Sequence, residues 1–316
     1  MKIIRSSAAL AAFLLLPAAA HAQVLGFGTA PQGTIGYNMG SAIAKVMADN
    51  GLQSRVQPYS GSSAILPLVD SGELDLTVCN VLEAEEASAG EGPYRGRKQA
   101  NVRVLATIFP IHVGFFVKKD SPIHSIADLK GKRLPYGYTA QLTLARVTDA
   151  LLATGGVASR DIVPVMVPGV ARGADDFAEG KSDAGFFALG AAKVSEVDKT
   201  VGGIRFLPVP DDARAVEAMK KIVPYAYVHE VKPGPAFAGI AQPTKLMAYD
   251  YLVAVSANVK DDVAYKIAKA IYEGKPKLVE SLRAFAGFDP QQIAKGMPAP
   301  YHPGALRCYK EKGLVK

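Results

Sequence analysis

The chain has 316 residues, with 36 Lys and Arg against 29 Asp and Glu, and 49% of its residues are hydrophobic. The basic excess is mild and spread along the chain, and no run of Lys and Arg is interleaved with aromatics, which excludes a nucleic-acid patch. The length exceeds the roughly 250–300 residues at which one hydrophobic core stops growing, so two lobes are expected.

Lys2 and Arg5, the apolar run from Ala8 to Ala20 and the small-x-small sequence Ala20-His21-Ala22 read as a secretory signal peptide over residues 1–22. The 13 residues of that run fall short of the ~20 that span a bilayer. Charged residues interrupt every later apolar run, so the mature protein is expected to be exported, soluble and not membrane-embedded. Cleavage removes one Lys and one Arg, which leaves 34 basic against 29 acidic residues and a net charge of +5. Export makes a disulfide between Cys79 and Cys308 chemically possible. Two lone cysteines far apart give no framework pattern, however, and separate buried thiols are the favoured reading.

Val24 to Gly28 is a short strand entering a Gly/Pro-rich turn, and Thr34 to Asn50 has helical spacing, with Ile35, Met39, Ile43, Val46 and Met47 along one side and Gly51 at its end. Gln53 to Tyr59 alternates as a strand, Ser62 to Ser71 reads as a second helix, and Leu74 to Cys79 as a third strand. This succession marks an open parallel sheet whose ligands sit beyond the carboxyl ends of the strands. Val102 to Phe109 and Val113 to Lys118 read as two strands flanking Pro110, and Ser125 to Gly131 as a short helix capped by Ser125. Strands at Arg133 to Gly137, Ile162 to Val167 and Ala184 to Phe187, with a helix from Leu142 to Ala153, make a second α/β lobe over residues 113–246. Leu246 to Val255 is an apolar return strand leading to a helix from Lys260 to Glu273. The first lobe therefore comprises residues 23–112 and 247–316, ending in a proline-rich loop and a short helix from Ala305 to Lys312.

Three segments place small or hydroxyl residues where a strand ends or a helix begins: Gly28 to Tyr37, Tyr59 to Ser63 and Ser71 to Asn80. Free N–H groups and the positive end of the helix dipole converge at such points, so an anionic group can be held there without an arginine. The first has the glycine spacing of a phosphate loop, but Thr34 stands where the lysine belongs, and no third glycine completes a dinucleotide fingerprint. Glu83, Glu85 and Glu86 follow Asn80. A glycosidase-type pair would need two facing carboxylates, whereas Glu85 and Glu86 are adjacent on a short polar helix, and all three are assigned to solvent. His112, His124, His229 and His302 sit singly, without metal-ligand spacing, and no nucleophile elbow occurs, so no metal, cofactor or catalytic residue is expected. In the second lobe, Tyr136 to Gln141 repeats the strand-to-helix logic, and Phe187 closes another strand.

With these motifs the chain resembles the TAXI family, the extracytoplasmic solute receptors of tripartite ATP-independent periplasmic (TRAP) transporters. The resemblance rests on Gly33-Thr-Ile-Gly-Tyr37, Tyr59-Ser-Gly-Ser-Ser63, Ser71-Gly-Glu-Leu-Asp75, Ile108-Phe-Pro110, Ser125 to Arg133, Gly180 to Phe187 and Tyr301-His-Pro-Gly-Ala305, in order along nearly the whole mature chain. It implies a two-lobed, type II-like periplasmic binding protein in which each lobe is a mixed sheet flanked by helices and hinge strands join the lobes. It also implies closure on a small carboxylate and docking on a TRAP-type permease. Where relatives carry a glycine-serine-glycine-threonine loop, this chain has Gly137-Tyr-Thr-Ala-Gln141, so the usual ligand does not carry over.

The resulting expectation is a monomeric periplasmic receptor for a small organic anion. Thr34, Ile35, Gly36, Tyr37, Ser60, Gly61, Ser62, Ser63 and Asn80 would hold the anion from the first lobe, with Tyr138, Thr139, Gln141 and Phe187 closing from the second. A ligand sensor feeding a signalling partner and an exported hydrolase stay open as alternatives.

Overall fold

The computed structural model describes residues 24–316; the signal-peptide expectation for residues 1–22 lies outside the described residues. The first lobe opens with β1 (Leu25–Thr29), α1 (Ile35–Asp49), β2 (Ser54–Pro58), α2 (Ser62–Ser71), β3 (Leu76–Asn80) and α3 (Val81–Ala89). β1 pairs in parallel with β2 on one side and β3 on the other, the helices α1 and α2 making the connections that parallel strands need. The apolar stripe of α1, from Ile35 through Met39 and Ile43 to Met47, is buried against this sheet.

β4 (Val102–Lys118) is one continuous strand of 17 residues, where two strands flanking Pro110 were expected. At about 3.3 Å per residue it is long enough to run through both lobes. Proline fits inside it because the pairing with β10 (Thr244–Ser256) is irregular just there: Asp250 opposes Pro110, whereas Leu252 opposes Thr107. The extra residue on β4 is a bulge, one of the places a sheet accepts a residue without an N–H. The two strands cross between lobes side by side and antiparallel, and the bulge marks the crossing.

Beyond the crossing, β4 pairs with β7 (Gly185–Ala188) and β8 (Ile204–Phe206), and β10 pairs with β9 (Tyr227–Val231). A separate parallel pair, β5 (Arg133–Tyr136) and β6 (Val163–Met166), completes the second lobe's strands. Around them pack α4 (Leu144–Thr154), α5 (Val170–Ala178), α6 (Ala192–Thr200) and α7 (Ala213–Ile222). Phe115, Phe116, Phe177, Phe186 and Phe206 are buried at the centre of this lobe. The segment expected to be a helix from Ser125 is only a single 3-10 turn at Ala127–Leu129, because Asp128 accepts the His124 and Ser125 N–H groups at 2.9 Å and closes the turn locally.

The chain then returns through α8 (Asp261–Glu273) and α9 (Lys275–Ser281) to α10 (Pro303–Glu311). Tyr309 anchors α10 beneath the first lobe by donating to the Leu105 carbonyl at 2.6 Å, and the His302 N–H donates to Val104 at 2.9 Å. Cys79 and Cys308 are both buried and unpaired. The architecture is thus a two-lobed α/β fold with a mixed sheet that continues through the crossing strands.

Candidate functional site

A cavity of about 60 Å³ lies between the lobes, against the crossing strands. A water needs roughly 10–15 Å³ by this measure, so the space holds the equivalent of about four to six waters, which suits one small organic molecule. Its floor is a single face of the sheet, because residues two apart on a strand point the same way. Val78 and Asn80 of β3, Tyr249 and Tyr251 of β10, Ile111 and Val113 of β4, and Phe186 and Ala188 of β7 supply it. Strand register sets Asn80 opposite Tyr251, Ile111 opposite Tyr249 and Val113 opposite Ala188, so the floor is continuous from one lobe to the other.

Four helices begin around this floor, and at three of them a side chain of the protein accepts from part of the first turn. Thr34 caps α1 by accepting the Tyr37 N–H at 3.2 Å, which leaves the Ile35 and Gly36 N–H groups at the cavity wall without an acceptor among the described residues. Asn80 caps α3, its Oδ1 accepting from the Leu82 and Glu83 N–H groups at 3.0 and 3.1 Å. On α5 the Val170 N–H donates to Gln141 Oε1 at 2.7 Å. Asn80 and Gln141 thereby present their amide NH₂ groups, not their oxygens, as the uncommitted ends. Tyr249, buried in the sheet, and Tyr251, half-buried, also line the cavity. Burial pushes both phenols above the usual tyrosine range, so they remain hydrogen-bond donors.

Glu83 corrects the expectation that this acidic cluster faces solvent. It stands at the third position of α3 and closes a capping box, with Oε2 accepting the Asn80 N–H at 2.9 Å while Oε1 accepts from the Ser62 hydroxyl. Its remaining surface opens into the cavity. Burial raises its carboxyl to about 7, against the pull of the Ser62 and Asn80 hydrogen bonds. Glu86 is also buried, one turn along α3, and serves a different purpose. It accepts from Thr143 at 2.6 Å and pairs with Arg146 at 3.3 Å, both on the second lobe.

These contacts describe a closed arrangement. The Lys193 N–H of α6 donates to the Gly33 carbonyl at 3.3 Å, and Gly61 sits directly on Ala140 and Gln141. The interlobe seam therefore includes a charge-assisted cluster around buried Glu86, a backbone hydrogen bond and a close backbone approach.

Of the residues proposed from sequence, Thr34, Ile35, Gly36, Ser62, Asn80, Gln141 and Phe187 line the cavity. Tyr37, Ser60, Gly61, Ser63, Tyr138 and Thr139 are not among its lining residues. Tyr138 is buried in the second lobe, donating to the Pro135 carbonyl at 3.1 Å, and Thr139 and Ser60 are exposed. Gly61 touches the opposite lobe instead of the cavity. Glu83, Tyr249 and Tyr251 were missed. Two tyrosines spaced by two on a largely apolar strand, and Asn80 followed three residues later by Glu83, are the signals that could have found them.

The histidines are not all isolated: His112 on β4 and His229 on β9 meet at 2.8 Å between Nε2 and Nδ1. Burial, with His229 beside it, lowers His112 to about 4. Antiparallel pairing of β9 and β4 onto β10 brings the two together across 117 positions, which no local spacing reveals. Among the described residues there is no cluster of three or more His, Cys, Asp or Glu able to hold a metal ion.

Solved structures with this fold include the alkanesulfonate-binding protein SsuA of Xanthomonas axonopodis pv. citri bound to MOPS, at 15% identity and TM-score 0.53, covering 90% of this chain and 83% of that one. PhnD1 of Prochlorococcus marinus in complex with methylphosphonate matches at 13% identity and TM-score 0.57, covering 92% and 99%. The amino acid ABC transporter substrate-binding protein AbpA of Streptococcus pneumoniae, bound to L-arginine, matches at 14% identity and TM-score 0.52, covering 84% and 95%. These likenesses establish the two-lobed binding-protein fold. The resemblance to the TAXI receptors of TRAP transporters is corrected by the family match, which is to a different description, and by neighbours of the ABC type. Residues 27–313 match the NMT1-like family, and the chain belongs to it.

Proposed function

We propose that this protein is a periplasmic receptor, exported by its N-terminal segment, that closes on one small solute bearing a carboxylate-type acidic group and passes it to an ABC-type membrane transporter. One observation carries the reading: an interlobe cavity, bordered by crossing strands, into which donors without protein acceptors converge from both lobes. The Ile35 and Gly36 N–H groups lie at the positive end of α1 and would meet the acidic group. Tyrosine hydroxyls and the Asn80 and Gln141 amides complete the donor set. Closure recognisable by a transporter follows if the solute binds the closed form more tightly than the open one.

The test is native mass spectrometry of the purified protein, followed by calorimetric titration of the solute it carries into stripped protein. Each of Tyr249→Phe and Tyr251→Phe removes a hydroxyl and is expected to weaken binding by about 0.5–1.5 kcal/mol, which is roughly 2- to 12-fold. Full affinity in both variants would remove the cavity as the binding site.

A further inference from the structure

We propose that Glu83 is a specificity-determining residue that holds a protonated nitrogen, so that the solute is a small zwitterion with an amine as well as an acidic group. This rests on the receptor reading above and names its ligand class. A carboxylate offers about four acceptor sites. In Glu83 the Ser62 hydroxyl and the Asn80 N–H occupy one on each oxygen, no further donor among the described residues is within hydrogen-bond geometry of either, and the group lines the cavity. Among the described residues no Lys, Arg or His lines the cavity, so no cation in that lining balances this carboxyl when it ionises.

The other titratable groups packed around it are acidic or neutral: Glu86 on its own helix, Cys79 at the end of β3, Tyr94 in the turn after α3, and Tyr249 and Tyr251 on β10. Arg146, the second-lobe cation that reaches α3, is engaged with Glu85 and Glu86. A solute carrying only negative charge would bring like charge into a poorly hydrated space beside Glu83. One carrying an ammonium supplies the missing donors there. Phe186 and the two tyrosines give the same space the aromatic walls that organic cations favour.

The experiment compares amine-bearing acids with their des-amino partners on the full mature chain, stripped of carried solute by unfolding and refolding. The probes are L-alanine with propionate, L-glutamate with glutarate and γ-aminobutyrate with butyrate, alongside identification of any co-purified molecule. At pH 8 an amine-bearing member is expected to bind at least tenfold more tightly than its partner. Its affinity should rise roughly tenfold from pH 6 to pH 8 as Glu83 ionises near 7. Glu83→Gln keeps an acceptor for the Asn80 N–H and should erase both differences. The pH profile of the unaltered protein tests the same point without relying on the variant's folding.

A des-amino acid that binds as tightly as its amine partner, or a co-purified solute without basic nitrogen, overturns the assignment of Glu83 and leaves the receptor reading standing. No binding across the panel, together with no carried solute, overturns both.

Discussion

Gly61 offers a direct way to ask whether solute capture requires the seam between the lobes. Its φ of 174° is extended backbone that any residue adopts, so alanine introduces no backbone strain. The added methyl would nevertheless overlap the Ala140 carbonyl oxygen and lie 2.7 Å from Gln141 Cγ, both on the opposite lobe. Carbon atoms make favourable contact at about 3.5–4.0 Å, so the lobes must part by nearly 1 Å along this line. Overpacking of this kind costs about 1–3 kcal/mol. The cost falls on the closed form only, because the clash vanishes when the lobes separate. Gly61→Ala should therefore weaken solute binding roughly 5- to 150-fold while leaving the melting temperature of the solute-free protein within about a degree. Calorimetry with the co-purified solute measures the first quantity, and thermal denaturation the second. Unchanged affinity would refute the claim that the bound form is the one with Gly61 seated on Ala140, and a large loss of solute-free stability would show that the seam is permanent packing.

Two further outcomes follow from the acidic residues of α3. Thr143→Val removes the hydroxyl that donates to buried Glu86; hydrogen bonds to charged groups contribute about 1.5–3 kcal/mol, so calorimetry should show a loss of about 10- to 150-fold in affinity, and an unchanged constant would detach this contact from closure. Glu83 titrates higher in the folded protein than its ordinary 4.5, at about 7. The native state thus binds more protons than the unfolded state between those values, and solute-free stability should fall as pH rises through that window. At about 1.4 kcal/mol per pH unit the full fall is on the order of 3 kcal/mol. Denaturant unfolding from pH 4.5 to 8 should show this slope in the unaltered protein and its loss in Glu83→Gln; a slope that persists in the variant would assign it to another group.

Local periodicity made much of the first lobe legible. The helix read from Ser62 to Ser71 is α2 with the same ends, and the stripe from Ile35 to Met47 is the buried face of α1. Pro110 misled because proline ordinarily ends a strand. It is tolerated here by a bulge whose existence depends on the pairing partner, 140 positions away in sequence at Asp250. The acidic cluster misled for a related reason. Adjacent carboxylates on a helix do point apart, but the Asn80-to-Glu83 capping box turns Glu83 back over the helix start, where β10 and α2 enclose it. The pattern was readable; the enclosure depends on strands joined only by the fold. Tyr249 and Tyr251 lie in a stretch whose apolar character read correctly as sheet core, and only the crossing of β10 between lobes makes that core the floor of a cavity.

The helix-start argument itself changes meaning once the side chains are in place. A helix N-terminus attracts an anion through unsatisfied N–H groups and through the field they sum to. Around this cavity the chain supplies its own acceptors at three of four starts: Thr34 on α1, Asn80 and Glu83 on α3, and Gln141 on α5. At α3 the acceptor becomes a full carboxylate as Glu83 ionises near 7, and it then more than offsets the half-charge of the helix end. That corner of the cavity is consequently the negative pole, while the open amides of Ile35 and Gly36 leave α1 as the positive one. A site with both poles built into its walls discriminates by the arrangement of charge along the solute more than by net charge. The same two poles would let a cavity with no basic side chain among the described residues that line it select the solute proposed above for its acidic end.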